Sequence, residues 1–137
     1  MNIDISEKQF RRLIDLVYIG NWVLNSTREF HDRIVEYDEV ERHLLGYCRA
    51  AGMTALVENT PFGLQPSRAF EDGGIQEAIA DYEDAVFFDI LAEDLARRDM
   101  EIEGVTADDA RELDRRREEY LDEFELNGLN NIVVEKP

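Results

Sequence analysis

Basic residues are what this chain has least of beside its acids. Lys and Arg number 15 against 32 Asp and Glu, a formal net charge of −17. Such a chain repels phosphate backbones and anionic membrane surfaces, so direct nucleic-acid binding would need a concentrated basic patch. Its basic clusters, Arg11-Arg12, Arg97-Arg98 and Arg115 to Arg117, all have acids close by and read as solvated helix surface with local ion pairs. Cysteine is nearly absent. Cys48 stands alone, which excludes an intrachain disulfide and any cysteine-rich zinc site. Its neighbours Leu44, Leu45 and Tyr47 point to a buried thiol acting as a small hydrophobe. The two histidines are too few for the further ligands that a His31-Asp32 phosphohydrolase site needs. No apolar run approaches the ~20 residues that span a bilayer, because Gly20, Asn21 and Asn25 interrupt the longest one. The opening MNIDISEKQFRR carries acids early and no cleavage pattern, from which a cytoplasmic protein with reduced thiols is expected. Gly-rich phosphate loops and a G-x-S-x-G turn are lacking. The lone pair Gly73-Gly74 follows Glu71 and Asp72, whose charge opposes an anion there.

What is present is helical periodicity. Apolar residues make up 44% of 137, enough to expect one domain over residues 1–137. The pattern predicts a mainly all-α fold: an antiparallel bundle of about four helices, with one long irregular loop at 53–66 and short extended termini. Ser6 and Gln9 form a capping box that starts a first helix, running to about residue 28 with Phe10, Leu13, Ile14, Val17 and Leu24 on its inner face. A second helix is expected over about 32–51, burying Tyr37, Val40, Leu44, Tyr47, Cys48 and Ala51, with Gly52 ending it. Pro61, Gly63 and Pro66 exclude a regular helix from MTALVENTPFGLQP, where Phe62 is expected to anchor the loop in the core. A third helix over about 74–98 is apolar almost all round from Ala85 to Ala92, so it is expected to be the most buried element. A fourth is expected from about Ala107, capped by Thr106, to Leu126, with Asn127-Gly128 as its stop. Ile132 to Val134 reads as a short strand or docked tail, with Ile3 to Ile5 as a pairing candidate.

Some residues break the apolar pattern. Projected at ~100° per residue, Asn21 and Arg28 fall on the inner arc of the first helix and Asn25 at its edge. Gly20, off the arc, is expected to admit another backbone. Asp89 and Glu93 sit one turn apart on the third helix among apolar neighbours. Buried amides need partners and a buried guanidinium needs an acid, so a polar cluster of Asn21, Asn25, Arg28, Asp89 and Glu93 is expected inside the bundle. The cluster reads first as a register-setting ion pair and second as a pocket for a small carboxylate or phosphate ligand, with Trp22 or Tyr82 lining it. Glu39 and His43, at i and i+4 beside Glu36, have a metal-ligand spacing but lie off the buried stripe, so no metal and no cofactor is expected. Glu77, Asp81 and Asp84 read as a solvated face. Nothing supports nucleophilic catalysis, since helix phase turns Cys48 away from His43. The leading expectation is a small acidic protein that acts through protein–protein interaction, as an accessory or regulatory subunit or a homodimer, binding neither nucleic acid nor membrane. The rivals are a ligand-binding or enzymatic bundle using the polar cluster, and a nucleic-acid mimic that binds a basic protein.

Overall fold

Ser6 starts the first helix. In the computed structural model, which describes residues 1–106 and 108–137, Ser6 Oγ accepts from Gln9 N and Gln9 Oε1 accepts from Ser6 N, closing the capping box. Helix α1 (Glu7–Asn25) buries Ile14, Tyr18, Asn21 and Asn25. These are positions i, i+4, i+7 and i+11, the heptad spacing that keeps one narrow stripe facing a partner helix. The helix ends at Asn25 with Ser26 as its cap, about one turn before the expected end. Gly20 admits no neighbouring backbone: a Cβ built there meets nothing within 4 Å.

A 3₁₀ turn at Phe30–Asp32 leads into helix α2 (Val35–Leu45), shorter at both ends than expected. Its inward residues are the half-buried Asp38 and Glu41 and the buried Leu45, continued by Cys48 in the turn beyond. Tyr37, Val40 and Tyr47, expected to be buried, are exposed. The stripe is rotated because polar partners on α1, rather than apolar ones, set the phase of its first half.

Residues 53–66 are not an irregular loop. After a 3₁₀ turn at Thr54–Leu56, strands β1 (Val57–Thr60) and β2 (Gly63–Pro66) form an antiparallel hairpin. Val57 faces Pro66 in this register and Thr60 faces Gly63. Gly63 takes φ +105 at the turn, a conformation that side chains other than glycine rarely adopt. Ser67 then caps a single helical turn, Arg68–Phe70, accepting from Phe70 N at 3.1 Å and donating to Ala55 O at 2.5 Å. A wide turn through Gly74, at φ 107, leads into helix α3 (Gln76–Glu103).

The described residues form two compact units, Met1–Ile79 and Ala80–Pro137. The first has one core: Ile14, Tyr18, Leu45, Cys48, Val57, Phe70, Ile75 and Ile79. Tyr18 meets Phe70 edge to face with ring centroids 5.1 Å apart, and the Arg11 guanidinium lies over the Phe70 ring, 5.1 Å from its centroid. In the second unit α3 packs against helix α4 (Ala110–Asn127). The contacts Glu103–Arg116, Asp99–Tyr120 and Phe88–Phe124 descend α3 while ascending α4, so the two run antiparallel. Ala92, Ala96, Met100 and Phe124 are buried there.

The mainly-α class is thus found, with four helices among the described residues. Other expectations need correction. The fourth helix begins at Ala110, capped by Asp109 rather than Thr106, and the expected start at Ala107 lies outside the described residues. The third helix is not the most buried element, since Tyr82, Phe87 and Ile90 are exposed. Ile132 to Val134 form no strand and are exposed. No described helix is long and apolar enough to cross a membrane.

Gly20 sits mid-helix with open space beside it, so Gly20→Ala should stabilise the protein by about 0.5–1 kcal/mol through helix propensity alone. Urea unfolding checks this; a loss of stability would mean that Gly20 has a packing role.

Candidate functional site

The amides that interrupt the α1 stripe meet the acids that interrupt the α2 stripe. Asn25 Nδ2 donates to Asn21 Oδ1 at 2.7 Å and to Ile34 O at 3.1 Å, while Asn25 Oδ1 accepts from Ile34 N at 2.8 Å. Asn21 Nδ2 donates to Asp38 at 3.0 Å and to Glu41. Arg33 closes the group with a two-pronged grip on Asp38, at 2.6 and 2.9 Å. Since Asn21 faces Asp38 and Glu41 while Asn25 faces Ile34, α1 and α2 run antiparallel. Nearby, Tyr18 Oη donates to Glu71 at 3.0 Å and accepts from Gln76 Nε2 at 2.5 Å.

These residues floor a cleft of about 850 Å³ within the first unit. Trp22, Phe30, Val35, Phe62 and Leu64 give it apolar walls, and Glu39 and Arg42 also line it. Two of the aromatics stand out into solvent: Phe30 is 93% exposed and Phe62 82%. Phe62 is therefore not the core anchor expected. Leu64, two residues on, packs on the core, and the two-residue turn before Gly63 sends Phe62 outward.

The charges of the floor are unequal. Burial pushes the Glu41 carboxyl above its ordinary range, against the hydrogen bond from Asn21 that pulls it down. The hydrogen bonds from Arg33 hold Asp38 below its ordinary range. Tyr18 is pushed up to about 12 by burial and by Glu71. Every buried side-chain nitrogen and oxygen among the described residues has a partner.

Of the residues expected to cluster, the structure brings together Asn21 and Asn25. It places Arg28 on the surface, where Nε donates to Leu24 O at 2.8 Å. The physical reason is the helix end at Asn25: a projection at ~100° per residue no longer holds three residues further on. Asp89 is exposed and paired with Arg117, and Glu93 is half-exposed and paired with Arg97 at 2.7 Å. Each acid is thus satisfied by an arginine of its own unit, and neither is a buried charge in need of Arg28. Glu39 and His43 are exposed, and no group of three or more His, Cys, Asp or Glu is placed to hold a metal among the described residues. The residues missed were Tyr18, Arg33, Asp38, Glu41 and Glu71. A heptad count begun at the amides instead of the apolar residues finds Tyr18 on α1 and, on α2, Asp38 and Glu41 in step with Leu45.

Compared with protein families, curated proteins and solved structures, the chain matches none.

Asn25 is 1% exposed and carries three hydrogen bonds. Asn25→Ala leaves both backbone groups of Ile34 without it and should cost about 1–3 kcal/mol in urea unfolding, while the exposed Arg28→Ala should stay within about 0.5 kcal/mol. Equal effects would show that the amide does not organise the helix pair. Glu41 titrates upward in the folded state, so its contribution is favourable below the unfolded carboxyl pKa and is lost as pH rises through the folded one. Glu41→Gln, which keeps an oxygen acceptor for Asn21, should therefore be more stable than the parent near neutral pH. That advantage should shrink as pH falls through the raised carboxyl pKa of Glu41, below which the parent's own carboxyl is protonated. Unfolding curves across this range check the sign.

Proposed function

We propose that this protein acts by binding another protein, as an accessory or regulatory subunit, and that the cleft of the first unit is where the partner docks. One observation carries the reading: Phe30 and Phe62 stand almost fully exposed on a single cleft whose floor is already satisfied. Large aromatics standing free beside polar groups are the composition of interface centres, where a few such side chains supply most of the binding energy. The buried amides and acids of the floor bond to one another. The lone buried Cys48 fits a reducing cytoplasm. Self-association is the same reading with a second copy as partner.

The rival reading, a pocket for a small molecule, has one feature in its favour: the carboxyl of Glu41, raised by burial, lines the same cleft. A nucleic-acid mimic rests on net charge alone.

The test is capture from the source cells on two baits, the parent protein and Phe30→Ser/Phe62→Ser. Both substitutions fall on exposed positions, so the fold should be unchanged by circular dichroism. A protein held in stoichiometric amount by the parent and lost from the variant is the expected result. A native mass spectrum in which the parent carries a retained small molecule, with no protein lost from the variant, would turn the reading to the ligand pocket.

A further inference from the structure

The second unit offers a different surface, independent of the cleft. From Ala80 to Ala96 the chain contains no Lys or Arg, yet it carries Asp81, Glu83, Asp84, Asp89, Glu93 and Asp94. Within this stretch α3 leaves Tyr82, Phe87 and Ile90 exposed at 64%, 49% and 56%. At ~100° per residue these three and the half-buried Val86 fall in one arc of ~140°, turned away from Ala92 and Ala96, which are buried. Glu83 and Asp94 lie inside the same arc and form no ion pair among the described residues; Glu93 and Arg97, also on the arc, are paired with each other, so the arc keeps a net negative charge.

We propose that this face of α3 is a docking site for a basic amphipathic helix of a partner protein. A helix laid along α3 would place apolar residues at i, i+3, i+4 and i+7 over Tyr82, Val86, Phe87 and Ile90. Its flanking Lys or Arg would meet Glu83 and Asp94. Charge decides against a second copy of this chain as occupant: another α3 would bring its own Glu83 and Asp94 against these, and like charges brought together oppose association. It also decides against an acidic helix, for the same reason.

The probe is a fluorescent amphipathic peptide of about 18 residues made of Leu and Lys, long enough to be helical. It is compared with a Leu/Glu counterpart and with a Leu/Lys peptide of scrambled order. Binding is followed by anisotropy on the full chain. The parent should bind the amphipathic Leu/Lys peptide above both others. Val86→Gln/Phe87→Gln/Ile90→Gln, which changes no charge, should weaken it by at least about tenfold, or 1.4 kcal/mol. Should the triple substitution lower helicity, Glu83→Gln/Asp94→Asn serves as the second variant and should weaken binding less but still measurably. Phe30→Ser/Phe62→Ser should leave it unchanged, which separates this site from the cleft. Equal binding by parent and α3 variants would overturn the proposal, the peptide then answering only to net charge. A dimer in native mass spectra that the α3 substitutions dissolve would overturn it in favour of a second copy.

Discussion

The side-chain amide of Asn25 stands in for a strand of backbone. It pairs with both the N–H and the C=O of Ile34, the residue from which α2 departs, at 2.8 and 3.1 Å. Ile34 caps α2 without a side-chain hydrogen bond, so the entry of that helix is held from α1 rather than by a local cap. A buried amide without partners costs about 1–3 kcal/mol, and here a single orientation satisfies all of its groups. Once α2 leaves Ile34 in that direction, Asp38 and Glu41 fall against Asn21, Leu45 and Cys48 fall into the core, and Phe30 is left at the rim of the cleft.

This arrangement sets specificity before strength. Replacing such polar layers with apolar residues is often neutral or stabilising, and a well-attested use of them is to fix the register of paired helices. The apolar remainder of the α1 stripe, Ile14 and Tyr18, packs on Leu45, Cys48 and Phe70 and supplies the burial. The polar layer and the apolar core therefore divide the work along one helix pair.

The second unit is built differently. Its buried residues are two alanines, a methionine and a phenylalanine, and between α3 and α4 lie the ion pairs of Arg116 with Glu103 and of Arg117 with Asp89. Exposed pairs of this kind contribute about 0–1 kcal/mol each and weaken in salt. Small side chains at Ala92 and Ala96 bury little apolar area. An acidic helix with large apolar residues facing water is the consequence.

Much of the helical layout was legible without coordinates: the capping box at Ser6, the break near Phe30, the stop at Asn127-Gly128 and the four helices follow from local chemistry, which acts over a few residues. The stop expected at Gly52 was not, since the second helix ends at Leu45. The hairpin was not, because strands of four residues with a proline in the turn give almost no periodic signal. The site was half legible. Asn21 and Asn25 declare themselves as amides in an apolar helix, but their partners were sought on the wrong helix and Arg28 was carried past the end of its own. Sequence by itself determined that the chain is mainly helical, how acidic it is, and that α1 carries polar groups needing partners. Only the tertiary structure decided which partners those are, which way Phe30 and Phe62 face and which side of α3 stays in water. Those outcomes depend on contacts between residues far apart in the chain: Asn21 bonds to Glu41, and Val40 is left exposed.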